Sequence, residues 1–241
     1  MPFIEVTLRK TKNDISIQCC DKEEPIHKLF DRLNSFELII AYGDIESLQG
    51  SIPTTEWQDT AKASPSRQKE FIAGRRLTRI LSSKIGLSDQ PLQRASNNAP
   101  IWPTGRIGSI SHCQKYCAVA VARAARIKSV GIDIELIGRI KRKVWPKLFT
   151  KKEQGFLSSL NESDLALATT AVFSAKETLY KFQYSLTNPW VGFQDFEVEW
   201  LDWKRMRAKS VKSRTHFRDD PIIYLERIGK QHVSTFMFSY Q

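Results

Sequence analysis

Val130-Gly131-Ile132-Asp133-Ile134-Glu135-Leu136 is the stretch on which the reading of this chain turns. A β-strand sends residues i and i+2 to the same face. Ile132, Ile134 and Leu136 therefore share a face that belongs in a core, and Asp133 and Glu135 sit side by side on the other. Two neighbouring carboxylates repel each other unless a cation joins them. Taken alone, an Asp-x-Glu pair reads better as the solvated face of an edge strand than as a site.

Working outward, Tyr116 to Ala122 is the longest apolar run and reads as a buried strand, as does Leu38 to Tyr42 before Gly43-Asp44. Residues 3–8 alternate weakly as a strand. Phe71, Ile72, Leu77, Ile80, Leu81 and Ile85 recur at helical spacing within 66–86, with Gly86 placed as a C-cap. Residues 87–108, with Pro91, Pro100, Pro103, Gly105 and Gly108, read as a loop, followed by the short stretch Ser109 to His112. Residues 138–152 are basic, and Trp145-Pro146 interrupts any long helix there. Thr150 and Glu153 have the spacing of a capping box. A second long helix is expected from about Asp164 to Leu186, with Leu165, Ala168, Val172, Ala175, Leu179 and Phe182 as its apolar stripe. Strands are expected in 191–200 and 222–240. The order of elements gives an α+β protein of two similar halves, 1–125 and 126–241, with a soft boundary and no repeat visible in the sequence.

The 241 residues carry 37 Lys+Arg against 26 Asp+Glu, a net charge of +11. That excess favours an anionic partner: nucleic acid, a membrane surface, a phosphorylated cofactor or an acidic protein. A hydrophobic share of 41% and a charged share of 26% exclude a mainly disordered chain and a collagen-like one. No apolar run approaches the roughly 20 residues of a membrane-spanning helix. The N-terminus lacks the pattern of a signal peptide, so a cytoplasmic protein is expected, with peripheral membrane contact through its basic charge as an open option. The four Cys and four His have no zinc spacing, so free thiols are expected. Any metal would fall to carboxylates, whose hard oxygens suit Mg²⁺ or Mn²⁺.

Three further groups carry chemistry. Lys176-Glu177 and Lys181 lie mid-helix, with Glu177 and Lys181 on one face; alone they read as a surface salt bridge. Ser111-His112 follows the Gly/Pro-rich loop and offers a hydroxyl and an imidazole to phosphate oxygens. Without a GxSxG elbow it makes a weak nucleophile pair. Gly74-Arg75-Arg76 places two cations on a helix. Together these pieces suit phosphoryl-type transfer, which runs on positioning and charge neutralisation.

In this combination the sequence resembles the 4'-phosphopantetheinyl transferase superfamily, of the surfactin-synthetase-activating type and nearest its enterobactin synthase component D branch. Four motifs carry the resemblance, in order: Phe71 to Arg76; Ala99-Pro100-Ile101-Trp102-Pro103 through Ser111-His112; Gly131 to Glu135 as GxDxE; and Phe173 to Lys181 as KExxxK. Phe173 stands where many members carry Trp, and Ala99 where other branches carry a basic residue. The resemblance implies two pseudo-symmetric α+β subdomains with the active site between them. It implies transfer of the phosphopantetheine arm from coenzyme A to a serine of an apo carrier protein, releasing 3',5'-ADP. It matches Asp133, Glu135 and Glu177 to Mg²⁺-binding acids, with Mn²⁺ as the other metal admitted, and Glu177 to a general base. Lys176 and Lys181 match lysines at the pyrophosphate and leaving group, and Arg75, Ser111 and His112 match coenzyme A contacts.

The expected partners are coenzyme A and apo peptidyl, aryl or acyl carrier domains, first those of a siderophore synthetase, and the protein itself is expected to be a monomer. Seven cations in 203–218, from Lys204 to Arg218, form either a carrier-docking surface or a solvated loop. The competing reading is a basic nucleic-acid or polyanion-binding module without catalysis, for which no helix-turn-helix, RNP motif or zinc finger is found.

Overall fold

The structure, a computed structural model, describes residues 4–10, 15–20, 37–58, 60–187, 192–211 and 221–241. The chain forms two compact units, residues 1–129 with the terminal 239–241, and residues 130–238.

The first unit holds a five-stranded antiparallel sheet ordered β2-β1-β3-β7-β6. Its strands are β1 (Ile4–Lys10), β2 (Ile15–Cys20), β3 (Leu38–Asp44), β6 (Arg106–Cys113) and β7 (Tyr116–Arg123). The small pair β4 (Gln93–Arg94) and β5 (Pro100–Ile101) stands apart. Helix α1 (Pro65–Lys84) starts at Ser64, whose side chain accepts the Arg67 N–H, with Pro65 in the first turn. It ends where Gly86 takes φ +68°, the conformation a C-cap glycine permits. Its Ala73, Leu77 and Leu81 pack on Ile39, Val119 and Val121 of the sheet.

The second unit holds the sheet β8-β12-β11-β10-β9. Its strands are β8 (Ile127–Leu136), β9 (Phe196–Asp202), β10 (Arg205–Ser210), β11 (Ile222–Ile228) and β12 (His232–Tyr240). Helix α2 (Lys151–Ser158) opens with the expected capping box: Thr150 accepts from the Glu153 backbone, and Glu153 accepts from the Thr150 N–H at 2.7 Å. Helix α3 (Glu162–Thr187) begins earlier than the apolar stripe suggested, because Asn161 Oδ1 accepts the Asp164 N–H at 3.0 Å and caps it. Val172, Ala175 and Leu179 of α3 pack on Val198, Met206 and Ile223 of the sheet. Each unit is thus one long helix on one five-stranded sheet, the two similar α+β halves expected.

Several local expectations change. The presumed loop 87–108 contains β4 and β5, and Ser109 to His112 lies inside the eight-residue strand β6 rather than at a loop–strand junction. Gly108 and the polar residues of β6 hide the alternation, and pairing with the apolar β7 imposes it. A Cβ at Gly108 would lie 2.3 Å from the Trp102 ring, so Trp102 packs directly on the strand there. Within 203–218, residues 205–210 are strand β10. There Arg205 pairs with Asp202 at 2.7 Å and Lys209 with Glu199 at 2.8 Å, so this is no solvated loop of free cations. Lys212, Arg214 and Arg218 lie outside the described residues. Cys113 and Cys117 are buried free thiols, as expected. Among the described residues no helix is long and apolar enough to cross a membrane.

Among the described glycines of the second unit, Gly131 has the least room for a side chain. A Cβ there would stand 2.2 Å from the Thr178 carbonyl oxygen and 2.9 Å from the Phe182 nitrogen, so α3 lies backbone-on-backbone against β8. Neither atom is the end of a flexible side chain. Gly131→Ala should therefore cost about 3 kcal/mol through overpacking, read as a lower midpoint in urea denaturation; an unchanged midpoint would contradict this contact.

Candidate functional site

Because Gly131 admits α3 so closely, the two residues that follow in alternation are covered by the helix. β8 is an edge strand, but the bland reading of a solvated face does not hold: Asp133 is 3% exposed and Glu135 9%. Lys181 Nζ donates to Asp133 Oδ1 at 2.7 Å and to the Ile132 carbonyl at 3.1 Å. Glu135 meets Arg139 at 3.2 Å across the end of the strand. The strand itself is held by Ser234, whose hydroxyl donates to the Asp133 carbonyl at 2.5 Å. On α3, Thr178 Oγ1 donates to the Thr235 carbonyl at 2.9 Å, tying the helix to β12.

This packing gathers one lysine among three carboxylates. Glu135 is pushed up to about 7, first by burial and then by the Asp133 charge, with Arg139 and Lys181 opposing. Glu177 is also raised, by burial first; Lys181 opposes and Asp133 adds to the rise. The structure therefore brings Asp133, Glu135, Glu177 and Lys181 into one electrostatic cluster.

Among the described residues, no three His, Cys, Asp or Glu side chains are drawn together as a formed metal centre. Lys181 supplies the positive charge against Asp133 instead. The donor set still fits a hard divalent cation. All its candidate ligating atoms are carboxylate oxygens, and burial, the first cause of the raised proton affinity of Glu135 and Glu177, leaves these carboxylates poorly solvated, so a cation would be favoured there.

Lys176 goes elsewhere. It is 2% exposed, and its Nζ lies 2.8 Å from Glu153 Oε2, 2.5 Å from the Phe193 carbonyl and 2.8 Å from the Phe196 carbonyl. An ammonium has three donors, and all are taken. The surface-salt-bridge reading fails because the residue is buried. In this structure the three donors of Lys176, expected at the pyrophosphate and leaving group, are all directed to groups of the protein itself. Glu153, visible in the sequence only as a helix cap, turns out to be its partner.

In the first unit, Arg75 is 6% exposed and its guanidinium lies 4.3 Å over the Phe71 ring. Ser111 is 7% exposed on β6. His112 is partly exposed and held on both sides by α1: Arg67 Nη1 donates to Nε2, and Glu70 Oε2 lies 3.3 Å from Nδ1. An arginine only donates, so Nε2 accepts and the ring proton sits on Nδ1 facing Glu70. Arg67 and Glu70 were missed in the sequence; their only signal was an i,i+3 pair of opposite charge in the first turns of α1.

Two family models match the chain. Residues 55–122 match the 4'-phosphopantetheinyl transferase N-terminal domain, and residues 129–234 match the 4'-phosphopantetheinyl transferase superfamily. Among curated proteins, the chain is 34% identical to 4'-phosphopantetheinyl transferase Npt of Nocardia iowensis over 58% of its own length and 64% of that protein. It is 31% identical to 4'-phosphopantetheinyl transferase PptT of Mycobacterium tuberculosis over 59% and 64%, and 31% identical to enterobactin synthase component D of Salmonella typhi over 58% and 58%. The chain thus spans less than two thirds of the length of these relatives. A solved holo-(acyl-carrier-protein) synthase of Bacillus anthracis aligns with 24% identity over 48% of this chain and 99% of that one, at a TM-score of 0.38.

The Glu135 shift sets a stability–pH relation. Its folded-state value of about 7 exceeds the ordinary 4.5, so the folded state holds the proton more tightly than the unfolded chain. The resulting stabilisation is complete below about 4.5 and is lost as pH rises through about 7. Without divalent cations, Glu135→Gln should flatten the stability curve across that window. It should exceed the native protein at pH 8 by up to about 3 kcal/mol. Parallel urea curves for both proteins at pH 5 and pH 8 check this.

Proposed function

The chain belongs to the 4'-phosphopantetheinyl transferase superfamily, and from that premise we propose that it moves the 4'-phosphopantetheine arm of coenzyme A onto a serine of an apo carrier protein. The observation that carries this reading is the covered carboxylate cluster: Asp133 and Glu135 on β8 facing Glu177 and Lys181 on α3. The carrier serine oxygen bonds to the phosphorus that bears the pantetheine arm. The bond from that phosphorus to the bridging oxygen breaks, and 3',5'-ADP leaves.

Asp133, Glu135 and Glu177 are the residues that would hold Mg²⁺, which when bound neutralises charge on the pyrophosphate oxygens. Glu177 takes the proton of the serine hydroxyl; burial raises its proton affinity, as a base working near neutral pH requires. Lys181, whose side chain is 25% exposed, offers its ammonium to the phosphate oxygens. Arg75, Ser111 and His112 are assigned to coenzyme A. For His112, the Nδ1 proton held towards Glu70 keeps the ring in a fixed orientation. The polyanion-binding alternative gains nothing from the family matches.

The similarity to enterobactin synthase component D makes a siderophore-type synthetase carrier the first substrate to try. Its docking face is better sought in 141–151 than in 203–218. Lys143, Lys147 and Lys151 are exposed there, and the segment itself contains no acid. A surface of this sign speeds encounter with an acidic partner.

Two measurements test the reading. Intact mass spectrometry of an apo peptidyl or aryl carrier domain, incubated with the protein, coenzyme A and Mg²⁺, should show the gain of one phosphopantetheine, abolished by EDTA. Glu177→Gln should slow this about 100-fold or more while melting like the native protein; native turnover in that variant would remove Glu177 from the chemistry. Replacing Lys143, Lys147 and Lys151 together by Ser should raise KM for the carrier several-fold and leave KM for coenzyme A unchanged. Equal effects on both would place the docking face elsewhere.

A further inference from the structure

The pair Lys176–Glu153 is a buried group of charges that the proposed chemistry does not use. Its contacts join three segments. Lys176 on α3 reaches the Phe193 carbonyl in the turn before β9 and the Phe196 carbonyl at its start. Glu153 on α2 accepts the Val198 N–H through Oε1 at 2.7 Å and the Thr150 N–H through Oε2 at 2.7 Å. β9 pairs with β10 on one side only and is an edge of its sheet. An edge strand leaves a row of amides and carbonyls without a strand partner. Here the Phe196 carbonyl and the Val198 amide are met by the ammonium and the carboxylate, which stand where a sixth strand would lie.

The consequence for the candidate site follows from helix geometry. Successive residues of a helix are about 100° apart, so Lys176 and Glu177 look out of α3 in different directions. Towards β8 and β12 the helix is fixed by the close approach at Gly131 and by the Thr178 and Ser174 hydroxyls, which meet Thr235 at 2.7 Å and 2.9 Å. Towards α2 and β9 it is fixed by Lys176. Held on both sides, α3 cannot roll, and Glu177 and Lys181 stay with Asp133 and Glu135.

We propose that Lys176 and Glu153 are positioning residues: acting through α3, they hold Glu177 and Lys181 at the angle that phosphopantetheine transfer requires, and they touch neither coenzyme A nor the carrier. This rests on the transfer activity proposed above. It also gives the first lysine of the KExxxK stretch a part different from that of the second.

The test uses the full chain with Lys176→Met, which keeps the aliphatic stem, Glu153→Gln, which keeps acceptor and shape but loses charge, and the double variant. Steady-state transfer, coenzyme A affinity by calorimetry, thermal melting and the pH–rate profile are measured for each. The expected result is a fall in kcat of tenfold or more for Lys176→Met, with KM and Kd for coenzyme A within twofold of native. The double variant should lose less than the product of the two single losses, because the two residues act as one unit. Should Lys176→Met fail to fold, Glu153→Gln carries the same kcat-against-KM comparison.

A tenfold weaker affinity for coenzyme A with kcat unchanged would make Lys176 a direct phosphate ligand and overturn the proposal. Lower melting temperatures with native kcat, KM and pH profile would make the pair purely structural and also overturn it. If the native protein transfers nothing to any carrier, the proposed function falls and takes this proposal with it. Native transfer with unaltered variants removes the positioning role alone.

Discussion

A helix backbone can lie directly on a strand only where the strand has no side chain in the way, and Gly131 provides that gap. Most of what matters in the second unit follows from it. The approach brings the Thr178 turn of α3 onto β8, which places Lys181 over Asp133 and covers Glu135. It also presses polar groups into a dry region, where each needs a partner. The hydroxyls of Ser174, Thr178, Ser234 and Thr235 answer that need at the helix–sheet seam. The glycine, the buried acids and the run of small hydroxyl residues are therefore one device. A bulkier residue at 131 would lift the helix, and the charges would be left without neighbours.

The same seam separates two kinds of buried charge. Asp133, Glu135 and Glu177 are in excess over their cations, so the cluster favours any arriving positive charge. Lys176 and Glu153 are matched one to one, with main-chain groups completing both. Burial draws Lys176 downward and Glu153 upward towards neutrality, and each opposes the drift of the other. An unbalanced cluster is reactive towards ligands, whereas a balanced pair is a fastener. Two lysines five residues apart on one helix thus serve different ends.

Much of this was legible in the sequence. The apolar run of β7, the periodicity of α1 with Gly86 behind it, the Thr150–Glu153 cap and the alternation around Asp133 all point to the elements found. These signals are local, set by periodicity and by side chains within a few residues. What stayed hidden is set by distant partners. The start of β6 reads as loop and the rest as no more than a short stretch, because its pairing with β7 is not written in its own glycine and serines. β10 reads as a basic loop because its cations are matched by acids on the neighbouring strand β9. Lys176 and Lys181 look alike in a helical projection, and only the position of β9 decides that one is sealed in. His112 was singled out by its own chemistry, but Arg67 and Glu70, which orient it, come from another element.

The ion pair at the edge of β9 has a further consequence, for colloidal behaviour. A bare strand edge is a template on which a second chain can continue the sheet, and such edges seed ordered aggregates. At β9 the groups that would recruit a foreign strand at Phe196 and Val198 are already held by side chains of the same molecule. The fastener that sets the angle of α3 is thus also a stopper against sheet growth.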